Sequence, residues 1–228
     1  MLYLILLGVT FLIQLLAASW YTLADLKEMD NTFRYKMLCC TIYVADLLLC
    51  TAMSNSFTKP FFIFLLLGIL FAYSGDIAES KVKNKSKEIY TVFRVLSLAV
   101  FSASSFYALH KLFGLSTLKG TASLVLAGIL VIIALIIILK DPSFRGYKIL
   151  IPIFCILFLF PALSLGITCQ KTELPQMQTL SFILSVGSLF ICYSDILHAG
   201  KHSTTKKLLR NNIYLFGNMI FVCAVTSI

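Results

Sequence analysis

Charge is what this chain has least of. Lysine, arginine, aspartate and glutamate together make up 13% of its 228 residues, and 59% of them are apolar. Soluble domains run near 25% and roughly 45–50%. So few charges cannot dress the surface of a water-soluble fold of this length. Catalytic signatures are missing as well. There is no GxSxG, no H-E-x-x-H and no phosphate-cradling glycine loop, which argues against the usual lipases, metalloproteases and nucleotide enzymes. The seven cysteines are odd in number and hold no C-x-x-C pair, so neither a disulfide framework nor a zinc site is indicated. They read as small buried hydrophobes. Acids are fewer still, ten against nineteen basic residues, for a net charge of +9. The basic residues stand in short clusters between apolar blocks with no interleaved aromatics. That is not the stripe a nucleic acid requires; it suits loops held against anionic lipid headgroups.

What remains is a series of long apolar runs. From Leu118 to Leu139 there are 22 positions with one charge, Lys119, enough to cross a hydrocarbon layer of about 30 Å. Eight such runs are predicted to be transmembrane helices: 1–21, 35–53, 60–77, 89–112, 118–139, 147–168, 177–197 and 211–228. The expected fold is therefore an all-α, polytopic membrane bundle forming a single domain over 1–228. The first run contains Ala17-Ala18-Ser19, which resembles a signal cleavage site. It has no basic flank ahead of it and continues to Trp20 and Tyr21, so it reads as an uncleaved first helix with an interfacial aromatic end. Pro152 and Pro161 fall inside the sixth run, where membrane helices tolerate them as kinks.

Loop charges fix the orientation. Fourteen of the nineteen basic residues lie in, or within two residues of, the loops after the first, third, fifth and seventh runs. Four lie in the other loops, and Arg94 sits just inside the fourth run on the Lys-rich side. By the positive-inside rule the Lys-rich loops are cytoplasmic and both termini lie opposite. There is also an internal echo. Tyr73-Ser74-Gly75-Asp76-Ile77 closes the third run and Tyr193-Ser194-Asp195-Ile196 the seventh. Each is followed by a Lys-rich loop and then Ile-Tyr, at Tyr90 and Tyr214. Copies four helices apart run the same way, which suggests two parallel four-helix halves.

Asp76 and Asp195 are the main candidates for chemistry. Counted from Lys59 and Met177 at 1.5 Å per residue, both fall about 25–27 Å along their runs, near the cytoplasmic edge. Two carboxylates at matched depth can meet across a bundle, and acids within membrane segments mark functional sites. The alternative is that both are wet helix ends. Asp46 lies nearer the midplane, where a carboxylate must be protonated, paired or hydrated; Arg94, Tyr90 and Asn218 are its expected partners. Asp195, His198 and His202 have tolerable metal-ligand spacing, but Gly200 intervenes and no cysteine is near, so no metal is expected.

With Ser74-Gly75-Asp76 closing the third helix, Ser194-Asp195 closing the seventh, and Tyr214 with Asn218 in the last, the chain resembles the YhhN-type lysoplasmalogenase family. The likeness runs over the whole chain in helix order. Asn218 stands where the family usually has glutamine, and Lys36-Met37 where it often has Lys-Pro. The resemblance implies hydrolysis of the vinyl ether bond of lysoplasmalogens to a fatty aldehyde and a glycerophospho-ethanolamine or -choline. It implies no cofactor: the partners are a single-chain lysophospholipid, water and the membrane. Such acid-driven cleavage calls for one protonated carboxyl and one carboxylate, roles Asp76 and Asp195 fit in either order. Ser74, Ser194, Tyr90, Tyr214, Asn218, Asp46, Arg94 and Lys36 are the candidate binding and orienting groups. A proton-coupled transporter or a lipid-binding membrane protein is the competing class, and there the midplane acid, Asp46, would matter most.

Overall fold

In the computed structural model the described residues are 2–27, 29, 32–54, 56, 59–81, 86–108, 110, 149–169 and 175–199, with isolated positions between 125 and 140. They are helical, in six long elements: α1 (Leu2–Leu26), α2 (Thr32–Met53), α3 (Lys59–Lys81), α4 (Ser86–Tyr107), α5 (Leu150–Cys169) and α6 (Pro175–Ala199). The fold is all-α. The six coincide with the first four, the sixth and the seventh predicted runs. Of the fifth run only isolated helical positions are described, and the eighth lies outside the described residues, with Tyr214 and Asn218 on it. Neighbours in this order pack together, each on the next, from α1 to α6. Among the described residues, Lys59–Glu79 and Glu88–Tyr107 are long and apolar enough to cross a membrane.

The helices carry their polarity on the inside. On α1 the buried stripe is Gln14, Ala17, Tyr21 and Ala24, at helical spacing. The opposite side exposes Ile5, Val9, Leu12, Leu16, Trp20 and Leu23. α4 buries Arg94, Ser97, Ser102, Ser104 and Ser105 while Val92, Leu96 and Phe106 face out. α6 buries Ser185, Ser188 and Asp195 while Phe182 and Leu189 face out. A soluble amphipathic helix is patterned the other way round. α1 also runs a turn beyond the predicted Tyr21, because Ala24 and Asp25 are still buried there.

Small residues set how closely the helices approach. Gly68, Ala72 and Gly75 form a stripe on α3, the small-residue seam that lets helix backbones come together. A Cβ on Gly68 would overlap the ring of Phe101 on α4. That ring cannot easily retreat, because it packs on Phe158 of α5 with centroids 5.5 Å apart. Gly68→Ala is therefore expected to destabilise the fold by about 1–3 kcal/mol, read as a lowered melting temperature in detergent. An unchanged melting temperature would mean that the α3–α4 seam is looser than the contact implies.

Pro161 explains a second contact. It lacks an N–H, so the carbonyl four residues back, on Leu157, loses its helical donor. Ser102 Oγ of α4 donates to that carbonyl at 2.9 Å. Helix α5 thus keeps its proline because a neighbour supplies the missing hydrogen bond, as buried kinked helices do. Ser102→Ala should cost about 1–3 kcal/mol by leaving the carbonyl without its donor. The same change made with Pro161→Ala should cost much less. Additivity of the two in a double-mutant cycle would contradict this coupling. Between α5 and α6, Ser185 Oγ donates to the Ala162 carbonyl at 2.5 Å. Cys155 and Cys192 point their thiols at each other's carbonyls, at 3.8 and 3.5 Å.

Candidate functional site

At the ends of α3 and α6 the two aspartates are enclosed, not wet: side-chain exposure is 3% for Asp76 and 1% for Asp195. Each has a cation. Lys36 Nζ, in the second turn of α2, donates to Asp76 Oδ1 at 2.7 Å. Arg94 of α4 grips Asp195 Oδ1 with Nε at 2.6 Å and a terminal guanidinium nitrogen at 2.5 Å. Tyr90, one turn before Arg94, is buried within electrostatic reach of Arg94, Asp195, Asp76 and Glu79. Cys40, one turn after Lys36, feels Asp76, Lys36 and Arg94. Four helices therefore bring two acids, two bases and a phenol into one buried cluster.

Helix geometry accounts for the convergence. α2 and α4 enter the bundle at the end where α3 and α6 leave it. Positions early in the former therefore lie level with positions late in the latter. Asp76 is five residues before the end of α3 and Lys36 four after the start of α2. Gly75 lets α3 approach α4 beside the cluster, since a Cβ there would lie 3.2 Å from that of Phe93.

The two pairs are unlike. Arg94 and Asp195 are both almost fully enclosed, whereas Lys36 keeps 18% of its side chain exposed. Asp76 takes its cation from α2 but Asp195 takes its own from α4 and not from α5, the counterpart of α2, so their surroundings do not follow the symmetry of the sequence echo.

Asp46 lies elsewhere, and its expected partner is corrected. Arg94 belongs to Asp195; Asp46, with no exposed surface, accepts hydrogen bonds from Gln14 Nε2 of α1 and from Thr10. It stands ten residues beyond Lys36 on α2, about 15 Å along the axis. Tyr90, also expected there, belongs to the Asp76–Asp195 cluster, and Asn218, the third expected contact, is outside the described residues. Depth could be counted along the sequence, but the direction in which Asp46 points around α2 could not.

Of the remaining candidates, Ser194 is buried beside Asp195. Ser74 turns its Oγ back to the Leu70 carbonyl, 2.9 Å away, within its own helix. His202 falls outside the described residues, as do Tyr214 and Asn218. Two groups were passed over in the sequence. Cys40 was legible as one turn from Lys36, and Gln14 as the amide in an otherwise apolar first run. No family model matches this chain, and no curated protein or solved structure is detectably similar to it.

Proposed function

We propose that this protein is a multi-pass membrane hydrolase of eight helices that cleaves the vinyl ether bond of single-chain lysoplasmalogens. The observation that carries the reading is the burial of Asp76 and Asp195 together around Tyr90, each with its own cation. The bilayer part is supported by the inverted helices, which turn serines and charges inward and leucine, isoleucine and phenylalanine outward. It is supported too by the alternation of Lys-rich and Lys-poor loops, which on this reading puts the paired aspartates at the cytoplasmic edge and both termini opposite.

The chemistry follows from the unlike pairs. Arginine stays protonated in proteins, so Asp195 serves as the carboxylate that stabilises a developing cation. Lysine is a flexible point charge, and Lys36 is the partly open member of the other pair. A substrate phosphate that drew Lys36 away would free Asp76 to carry a proton. Asp76 then delivers that proton to the alkene carbon that carries the alkyl chain, and an oxocarbenium ion forms at the carbon bearing oxygen. Water oriented by Asp195 adds to it, returning a proton. The hemiacetal collapses to the fatty aldehyde and a glycerophospho-alcohol. Tyr90 is placed to orient water or the ether oxygen.

Because one acid must hold a proton and the other must not, turnover should trace a bell against pH. At low pH both are protonated and the cation loses its stabiliser; at high pH neither can donate. Aldehyde release by the purified protein in nanodiscs, followed across pH, tests this. A rate that climbs steadily in one direction contradicts the paired roles. Asp46→Asn is the control against the carrier reading. It should keep most of the activity, and damage greater there than at Asp76 favours a transporter.

A further inference from the structure

Asp46 stands apart from the paired aspartates and has no part in the reaction proposed above. An enclosed carboxyl can exist with water around it, a cation beside it, or a proton on it. Water is shut out, since Asp46 has no exposed surface. Cations are committed elsewhere: Arg94 to Asp195 and Lys36 to Asp76. Apart from Arg94, every lysine, arginine and histidine of the chain lies between the eight apolar runs or within two residues of a run's end, where long cationic side chains reach outward to water. The side chains that do reach Asp46 come from α1 and are neutral. They are the Gln14 amide and, one turn before it, the Thr10 hydroxyl. One turn back on α2 stands Tyr43, a phenol with no positive charge to give, and α3, which also packs on α2, has no charged residue between Lys59 and Asp76.

The hydrogen bonds point the same way. Gln14 Nε2 donates to Asp46 Oδ2; the atoms left over, Gln14 Oε1 and Asp46 Oδ1, are both buried acceptors without a donor among the described residues. An ionised carboxyl can only accept, whereas a protonated one has an O–H to give. One proton on Asp46 Oδ1 therefore turns two stranded acceptors into a reciprocal acid–amide pair, with a hydrogen bond running each way between α2 and α1. We propose that Asp46 is a proton-binding site, occupied at neutral pH, whose proton latches α1 to α2 through Gln14. Among the described helices α2 is the main packing partner of α1. The rest of the buried stripe on α1 is Ala17, Tyr21 and Ala24, so the latch is the polar anchor of that helix. Without the proton, a charged carboxylate would face the Gln14 carbonyl oxygen, acceptor against acceptor, and α1 would loosen from the bundle. The site is independent of the hydrolase reading.

Infrared difference spectra of the full-length protein in nanodiscs at neutral pH read the proton directly. Subtracting Asp46→Asn from the parent should reveal the carbonyl stretch of a protonated carboxyl, which stands clear of the amide and carboxylate bands. The same band should persist in Asp76→Asn. Carbon-13 in the side-chain carboxyl of aspartate should shift it in the parent and in Asp76→Asn alike, a reading that does not depend on Asp46→Asn folding. Asparagine offers one donor and one acceptor edge, as a protonated carboxyl does, so Asp46→Asn should melt close to the parent. Asp46→Leu should melt several degrees lower, because it strands the Gln14 amide; Asp46→Leu with Gln14→Leu should recover most of that loss. The exchange Gln14→Glu with Asp46→Asn, which moves the acid to α1 and the amide to α2, should fold and regain a protonated carboxyl band. A carboxylate band at Asp46 in the parent, or an exchanged pair that folds with its acid ionised, overturns the latch. A parent melting temperature raised by sodium chloride but not by choline chloride would place a metal cation on the carboxylate and overturn the proton.

Discussion

Asp195→Asn is expected to abolish aldehyde release while leaving a folded protein. The substitution keeps the shape of the side chain and an oxygen toward Arg94, whose Nε and terminal nitrogen now both reach Asp195 Oδ1. What it removes is the negative charge. Positioned acid and base groups contribute roughly 10²–10⁴-fold each. Here the lost charge also faces a full positive charge developing on carbon, so the fall should reach the upper end of that range. Asp76→Asn should be as severe for the other reason, since an amide cannot give a proton to carbon. Both variants need a size-exclusion profile like the parent's; a lower melting temperature is expected for Asp195→Asn, which leaves the enclosed Arg94 without its counter-charge. Near-parental turnover in either one, with folding intact, would mean that the paired carboxylates do not carry the reaction.

Removing Arg94 should have the largest effect on folding. Arg94→Leu leaves Asp195 as a buried charge with its cation gone, and breaking an enclosed pair from one side costs about 3–5 kcal/mol. Much of that is the penalty of the stranded carboxylate, not the worth of the bond. The double variant Arg94→Leu, Asp195→Leu should recover most of the lost stability, because apolar residues replace an enclosed pair at little cost, yet show no aldehyde release. That pattern separates the two roles of the pair: holding α4 against α6, and supplying the charge for chemistry. If the double variant is as unstable as the single one, the pair is not the main interaction at that point. Lys36→Met offers the contrast. Lys36 is partly open, so its loss should unsettle the fold less while still depriving Asp76 and the substrate phosphate of their shared cation.

The all-α fold and the six described helices were legible because apolar runs of this length have few alternatives. Helix ends were less so: hydropathy stops at Tyr21, but the chain goes on packing through Ala24 and Asp25. The aspartates of α3 and α6 stood out by residue type and depth. Which cation each would take did not, because spacing along one helix gives height but not the side of the bundle faced. Height alone offers Arg94 to Asp46, with Tyr90 or Asn218 as alternatives, as readily as to Asp195. Lys36 reads in the sequence as one of a pair of residues at the start of a helix, and nothing there marks it as the counter-ion of an aspartate forty residues on. Gln14 is legible only as a lone amide in an apolar run, which says that it needs a buried partner but not which one.

The most direct test of the proposed reaction is where solvent hydrogen ends up. Purified protein in nanodiscs is given a lysoplasmalogen in heavy water, and the fatty aldehyde is trapped at once and weighed by mass spectrometry. Protonation of the alkene carbon by an exchangeable carboxyl predicts one deuterium on the carbon next to the carbonyl. Turnover should slow if that transfer limits the rate, and the signal should vanish in Asp76→Asn and Asp195→Asn. The matching saturated ether should come back intact, as it has no alkene to receive the proton. Aldehyde without deuterium at that carbon, or cleavage of the saturated ether or of an ester lysolipid at a similar rate, would contradict acid-driven vinyl ether hydrolysis.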